Sequence, residues 1–116
     1  MGVAELIEWQ WRGYQDFHAS RQNLLIHIVA VPVFLLANVV LVAALLKGAW
    51  AGAGVALVCM LVSFGLQGIG HGREANPSIP FSGPANALAR IFLEQWVNFP
   101  RFVLSGGWFR ALRDAR

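Results

Sequence analysis

Two long runs without a charged side chain constrain this chain more than any other feature of its sequence. Residues 24–46 and 49–70 contain no Asp, Glu, Lys or Arg, and only Lys47 and Gly48 lie between them. A helix of about 20 apolar residues is long enough to cross a bilayer. The sequence therefore predicts two transmembrane helices, at 24–46 and 49–70, that pair as a tight antiparallel hairpin.

The composition agrees with a membrane protein. Hydrophobic residues make up 57% of the 116 residues and charged residues 13%, whereas about a quarter of an average globular chain is charged. The single cysteine, Cys59, excludes a disulfide or a thiolate metal cluster within one chain. We expect one membrane domain over residues 1–116, whose net charge of +3 favours contact with membrane lipid headgroups over nucleic acid.

The distribution of basic residues predicts the orientation of the hairpin. Of nine Lys and Arg residues, only Lys47 lies at its tip, so the positive-inside rule places both termini in the cytoplasm. The first 23 residues carry three carboxylates and are too polar for a signal peptide. We therefore expect a multi-pass protein of a bacterial inner membrane or an ER-type membrane. Small residues at helical spacing also allow close packing within the hairpin or in a homo-oligomer: Ala49 with Ala53, and Gly68 with Gly72.

The segments that flank the hairpin are predicted to be amphipathic helices, so the expected fold class is all-α. Residues 3–20 read as the first of these helices, and residues 71–83 as a loop rich in turn-forming residues. His18 falls on the apolar face of the first helix, where a titratable ring is unusual. The other members of that face are Val3, Ile7, Trp11 and Tyr14.

Residues 84–104 are predicted to form the second amphipathic helix, with Pro84 in its first turn and a kink or an end near Phe99, ahead of Pro100. Residues 105–116 form a basic tail that is expected to rest in the headgroup layer. One side of the helix is predicted to be charged, with Arg90, Glu94 and Arg101. The other side carries Leu88, Ile91, Phe92, Gln95, Trp96 and Phe99.

The hairpin brings the three histidines of the chain to one level. His27 lies 20 residues before Lys47 and His71 lies 24 residues after it, so both are about 30–36 Å from the tip. His18 precedes the first span and lies near the same level. On one straight helix His18 and His27 would be on opposite sides and about 13.5 Å apart. We therefore predict a break within residues 20–23, where Ser20 and Asn23 are both suitable N-caps.

These histidines are candidate metal ligands. His71 begins an HxxE spacing with Glu74, so His18, His27, His71 and Glu74 are predicted to converge. Imidazoles with a carboxylate suit iron, zinc or manganese, and such sites with open positions often carry oxygen chemistry. Each histidine taken alone could equally be a hydrogen-bonding residue, and Glu74 a solvated charge. Ionisable groups at membrane depth are usually functional, however, and here they gather at one end of the hairpin.

Several polar residues lie near these histidines in the sequence. Tyr14 could belong to an interfacial aromatic belt, Asn23 could cap a helix, and Gln67 could join two membrane helices. Arg21 and Arg73 could extend to lipid phosphate. A functional alternative remains open for each of them.

Two blocks of the sequence also resemble a known family. Residues 14–32, YQDFHASRQNLLIHIVAVP, and residues 66–80, LQGIGHGREANPSIP, resemble the small membrane-protein family of the fungal 2-hydroxy fatty acid dioxygenase and its bacterial relatives. The positions that match are Tyr14, His18, Asn23, His27, Pro32, Gln67, Gly70, His71, Glu74 and Pro77.

The resemblance implies an Fe(II)-dependent oxidation of a 2-hydroxy fatty acid by O₂ to the acid one carbon shorter, with histidines as iron ligands. Three histidines and one glutamate are few for a di-iron centre, so we expect one iron, although a carboxylate from Asp16 or Glu94 could change the number of ligands. A 2-hydroxy acid can chelate a metal through its carboxylate and hydroxyl. On this reading Arg73 or Arg21 neutralises the carboxylate, and Tyr14 or Gln67 holds the hydroxyl or orients an imidazole. We also expect Asn23 and Arg21 to support the metal ligands from outside the coordination sphere. The acyl tail of the substrate is expected to lie among Phe34, Leu35 and Phe64.

Two other functions use the same residues. The first is a zinc-dependent lipid hydrolase with Glu74 as general base. The second is a lipid-binding membrane protein without catalysis, or a partner in a larger complex, in which the histidines only join helices.

Overall fold

The computed structural model describes residues 1–115, and these residues form helices and connecting turns without a strand. The predicted all-α class is therefore confirmed. The helices are α1 (Val3–Phe17), α2 (Arg21–Lys47), α3 (Trp50–His71), α4 (Pro84–Leu93), a π-helical turn (Glu94–Asn98), α5 (Phe99–Leu104) and α6 (Gly107–Asp114).

Helices α2 and α3 form the predicted hairpin. Gly48 ends α2 in a left-handed conformation, with φ of 67°, which an L side chain rarely adopts. Both helices are long and apolar enough to cross a membrane. They approach closely because their seam consists of small side chains, and the hydroxyl of Ser63 donates a hydrogen bond of 2.6 Å to the carbonyl of Ala30. The small buried residues of the seam are Ala30, Ala37, Ala44, Ala53, Ala56 and Ser63.

The chain turns sharply between α1 and α2, as the sequence predicts. Helix α1 ends at Phe17 and α2 begins at Arg21, with Ser20 as its N-cap. The hydroxyl of Ser20 accepts a hydrogen bond from the amide of Asn23, so Asn23 lies in the first turn of α2 and is not the cap. Helix α1, which precedes this turn, packs against α4 and the π-helical turn that follows α4.

The segment after the loop follows one helical path whose middle is a π-helical turn. Pro100 has no N–H to donate, and its ring crowds the carbonyl four residues earlier, which disfavours a regular α-helix. The amide of Phe99 instead bonds to the carbonyl of Glu94, five residues back. The kink predicted ahead of Pro100 takes this form, and the helical path continues to Leu104.

The C-terminal tail also folds into the protein. Helix α6 packs on α2 and α5, and the indole N–H of Trp108 donates a hydrogen bond of 2.9 Å to the carbonyl of Leu24. Trp108 thus belongs to the core, whereas the sequence suggested a segment lying among lipid headgroups. The buried core cluster consists of Tyr14, Leu24, Val31, Phe99, Phe102 and Trp108.

Candidate metal centre

Three imidazole rings from three helices meet at one end of the hairpin. His18 follows the last residue of α1, His27 lies in the second turn of α2, and His71 is the last residue of α3. Their ring centroids are 5.0, 4.8 and 4.9 Å apart, and the rings are nearly perpendicular to one another, at 88°, 80° and 89°. The rings therefore surround a common point, in the arrangement that the hairpin geometry predicts.

Glu94 supplies a carboxylate at that point. Its Oε1 atom lies 3.1 Å from Nε2 of His18, 3.6 Å from Nε2 of His27 and 3.9 Å from Nε2 of His71. The ligand-capable atoms of these four residues all lie within 4.8 Å of one another. We call His18, His27, His71 and Glu94 the candidate metal centre.

Backbone contacts determine which ring nitrogen faces the centre. Nδ1 of His18 lies 2.9 Å from the carbonyl of Tyr14, and Nδ1 of His27 lies 3.0 Å from the carbonyl of Asn23. A carbonyl only accepts hydrogen bonds, so Nδ1 must carry the proton in both rings. The Nε2 atom of each neutral ring therefore presents a lone pair to Glu94.

This arrangement fits a bound cation. Nε2 of His27 is fully buried without a hydrogen-bond partner and lies 3.6 Å from Oε1 of Glu94. Lone pairs that face an ionised carboxylate oxygen repel it unless a positive charge lies between them. Ligand atoms each ~2.1 Å from a shared ion would be roughly 3.0–3.4 Å apart. The three Nε2 atoms lie 3.1–3.9 Å from Oε1 of Glu94, and all four ligand atoms lie within 4.8 Å of one another. The His₃Glu group could therefore bind a metal ion.

The ionisation states suit the same role. Burial alone raises the pKa of Glu94, but the three imidazoles that surround its carboxylate, His18 foremost, outweigh burial and hold the pKa well below its usual value. Burial lowers the pKa of His18, and Glu94 offsets only part of that effect. A carboxylate and a neutral imidazole are the forms that coordinate a metal.

Tyr14 supports two members of the centre. Its ring stacks on His18 with centroids 3.9 Å apart and an angle of 5° between the planes. Its hydroxyl donates a hydrogen bond of 3.4 Å to Oε1 of Glu94. Burial, and then the nearby Glu94, raise the pKa of Tyr14 well above its usual value, so the phenol keeps its proton. Such outer contacts fix the orientation of ligands.

Glu74 lies outside the centre, which corrects its expected position as the fourth candidate ligand. Its carboxylate accepts hydrogen bonds from the amides of Ala19 and Ser20 at 3.0–3.2 Å and from Nδ2 of Asn23 at 2.6 Å. A carboxylate at the start of a helix satisfies free amides and the helix dipole. Glu74 and Asn23 thus hold the turn that presents His18 to His27.

Gln67 is the partner of a glutamine next to Glu94. Nε2 of Gln95 donates a hydrogen bond of 2.6 Å to Oε1 of Gln67, and Nε2 of Gln67 donates one of 2.9 Å to Oε1 of Gln95. Both side chains are buried, and Gln67 also donates to Ser63. This reciprocal amide pair ties the π-helical turn to α3 and so fixes the position of Glu94.

A cavity of about 640 Å³ adjoins the centre, with Tyr14, His18, His71 and Glu94 in its wall. Its other walls come from α1, α3, α4 and the loop before α4. Among the residues expected at the substrate, Phe64 lines the cavity, but Arg21, Arg73, Phe34 and Leu35 do not. Both arginines are exposed, and Phe34 is buried against Phe92 with ring centroids 5.6 Å apart. The cationic residues in the cavity wall are Arg12 and Arg90.

The sequence predicted that Glu94 lies on a charged side of this helix, but the structure turns Glu94 toward the three histidines, while Gln95 and Phe99 of the predicted apolar side are buried. Leu88, Phe92 and Trp96 are 60%, 37% and 46% exposed, whereas Glu94 points inward. Phe92 packs on Phe34, and the indole N–H of Trp96 donates a hydrogen bond to Asn38 in the middle of α2. A usable signal was the concentration of polar residues in EQWVN, because polar groups within apolar helices are usually functional.

Fold and site together define a small helical protein built on an apolar hairpin, with a His₃Glu candidate metal centre where the hairpin ends. The chain matches the family described as "2-hydroxy-palmitic acid dioxygenase Mpo1-like" over residues 4–100 and belongs to that family. The resemblance seen in the sequence is therefore confirmed, and the family description indicates a dioxygenase. The matched range includes all four residues of the centre. No curated protein and no solved structure matches the chain.

Proposed function

We propose that this protein is a membrane-embedded Fe(II) dioxygenase that oxidises 2-hydroxy fatty acids to the fatty acid one carbon shorter. The observation that carries the proposal is the convergence of three Nε2 atoms on one oxygen of Glu94, in the wall of a cavity large enough for a ligand. Membership of a dioxygenase family favours this activity over hydrolysis.

In this proposal His18, His27, His71 and Glu94 hold the iron. Bound Fe(II) supplies the site at which O₂ and the hydroxy-carboxylate head react. The ring of Tyr14 stacks on His18 and fixes the orientation of that imidazole. Its hydroxyl stays protonated and donates a hydrogen bond to Glu94. Asn23 supports the turn behind His18. Since Gln67 is paired with Gln95, its role is to position Glu94.

The overall reaction balances without a separate reductant. The bond between C1 and C2 of the acid breaks, C1 leaves as CO₂, and C2 is oxidised from an alcohol to a carboxyl carbon. This oxidation releases four electrons, and one O₂ accepts four electrons as it is reduced. One acid and one O₂ thus give the shorter acid, CO₂ and water.

We also propose that α2 and α3 cross a bacterial inner membrane or an ER-type membrane, with both termini in the cytoplasm. Only 28% and 22% of their most apolar windows are buried within the protein. A core helix of a water-soluble protein would bury most of such a surface. Eight of the nine basic residues lie outside the hairpin in the sequence and only Lys47 lies at its tip, which supports the cytoplasmic orientation.

The proposal is tested with protein purified anaerobically, loaded with Fe(II) and placed in lipid nanodiscs. Incubation with 2-hydroxypalmitate and O₂ should yield pentadecanoate, detected by mass spectrometry, with one O₂ consumed for each acid. Protein without metal is the control and should give no product. Stoichiometric zinc without O₂ consumption would contradict the proposal and favour a hydrolase.

A further inference from the structure

Part of the wall of the cavity beside the candidate metal centre carries no polar side chain. Helix α3 contributes Phe64 and Gly68 to this part, and α4 contributes Ile91. We call these three residues the apolar rim. Helix α1 contributes the polar side chains of Gln10 and Arg12 to the cavity wall. An amphipathic ligand would therefore meet both apolar and polar side chains in this cavity.

The apolar rim is continuous with the centre along one face of α3. Positions 64, 68 and 71 share a helical face because they are four and three residues apart. Phe64 lies about 10.5 Å from His71 along the helix axis, toward the tip of the hairpin. Phe64 is 43% exposed on the outside of the protein. A path thus runs from His71 over Gly68 to the outer surface of a helix that we propose to be transmembrane.

Gly68 leaves this path free of side chains. A Cβ atom at this position would meet nothing within 4 Å, so Gly68 has open space beside it. The loop side of the cavity is held in place instead. Arg90 donates hydrogen bonds to the carbonyls of Ile79 and Pro80 at 2.8 and 3.2 Å, and its guanidinium lies 4.5 Å from the ring centroid of Phe81.

We propose that the apolar rim is a lateral opening through which the acyl chain of the substrate extends from the candidate metal centre into the bilayer, with Gly68 as the residue that keeps it open. This inference rests on the proposed function. The hydroxy-carboxylate head occupies the end of the cavity beside His71 and Glu94, and the first part of the tail lies over Gly68. Carbons beyond Phe64 lie in lipid, where additional methylenes touch no protein wall.

The opening determines how the protein selects for chain length. Methylenes inside the cavity contribute to binding as their apolar surface leaves water, so short 2-hydroxy acids should bind weakly. Chains longer than the cavity should all be accepted, because their ends remain in the bilayer. A closed cavity of fixed volume would instead impose an upper limit on chain length.

The test compares Gly68→Leu with Gly65→Leu in lipid nanodiscs. Gly65 lies on the same helix, also has open space within 4 Å of where a Cβ atom would lie, and does not line the cavity. Both changes replace glycine by leucine in a helix and favour helix formation equally. Turnover is measured with 2-hydroxyoctanoate, 2-hydroxypalmitate and 2-hydroxytetracosanoate.

Wild type and Gly65→Leu should process the two long acids about equally well. Gly68→Leu should lower turnover of the two long acids by at least ~10-fold relative to Gly65→Leu, since loss of fit for one group in a hydrophobic site changes the rate by about this factor. Equal turnover of the long acids by the two variants would overturn the inference. A sharp upper limit of chain length in wild type would also overturn it.

A second measurement separates this inference from the proposed function. A 2-hydroxy acid with a diazirine in the middle of its chain is photolysed with the protein, and the modified peptides are mapped. Labelling of α3 around Phe64, lost in Gly68→Leu and retained in Gly65→Leu, supports the opening even if no acid is oxidised, an outcome that would overturn only the proposed reaction. Labelling confined to the loop at residues 78–81 would overturn the opening even with full turnover.

Discussion

Glu94 is the residue on which the candidate metal centre depends, because its carboxylate faces all three imidazoles. We expect Glu94→Gln to lower metal affinity by at least ~100-fold, since it removes the negative charge while keeping the shape of the side chain. The measurement is metal content after purification and dialysis. Glu74→Gln is the matched control, because Glu74 binds the start of α2 and touches no histidine ring nitrogen.

Glu74→Gln should keep its metal and reduce the free energy of unfolding by about 1 kcal/mol, the usual effect of weakening a helix cap. Thermal unfolding of the two variants measures this difference. Equal loss of metal from both variants would contradict the assignment of Glu94 to the centre and Glu74 to the cap.

Tyr14 contacts the centre in two ways that can be separated by substitution. Tyr14→Phe keeps the ring that stacks on His18 and removes the hydroxyl that donates to Glu94. We expect this variant to bind metal ~10-fold more weakly, which is the lower range for loss of a supporting contact. Tyr14→Leu removes the stacked ring as well and should bind more weakly still, as measured by metal titration. If both variants bind like wild type, Tyr14 does not support the ligands.

At the scale of elements, the contact between α2 and α3 requires a glycine beside the metal centre. A Cβ atom at Gly70 would overlap Oδ1 of Asn23 and lie 3.4 Å from its Cα atom. Gly70→Ala should therefore force the helices apart and reduce the free energy of unfolding by about 1–3 kcal/mol. It should also lower metal affinity, because His71 is the next residue.

Gly65→Ala is the control for this change. Its Cβ atom meets nothing, so the variant should be as stable as wild type or more stable by up to ~1 kcal/mol, the difference in helix propensity. Thermal unfolding and metal titration of both variants provide the comparison. A stable Gly70→Ala variant with unchanged metal affinity would show that the helices do not pack as closely as described.

The element scale is also where the sequence and the structure diverge. Hydropathy alone identified α2 and α3, and the turn at Ser20 followed from capping chemistry and the need to bring His18 to His27. The sequence did not predict which side of α4 and the π-helical turn faces the protein. Phe92 and Trp96 contact α2, and as a result Glu94 points toward the histidines. The π-helical turn was also not predicted. The sequence shows that Pro100 disturbs a helix, but the form of the distortion depends on how the segment packs.

For the whole molecule, the candidate metal centre joins four parts of the chain that are otherwise held by apolar contacts and a few polar pairs. A metal that binds the folded state and not the unfolded state stabilises it by ~4 kcal/mol when present at about 1,000 times its Kd. We therefore expect chelation to lower the thermal unfolding temperature of the wild-type protein. Glu94→Gln should show almost no shift under the same treatment. An equal shift in both proteins would mean that the stabilising metal binds elsewhere.

By itself the sequence determined the all-helical class, the hairpin and the meeting of three imidazoles, because long uncharged runs and a two-residue connection leave few ways to arrange the chain. Only the tertiary structure decided which carboxylate joins them. Glu74 is three residues from His71 and Glu94 is 23 residues from it, yet packing directs Glu74 to the amides of α2 and Glu94 to the rings. Spacing along the chain constrains neighbours within an element, whereas the orientation of one helix against another depends on every surface that they bury together.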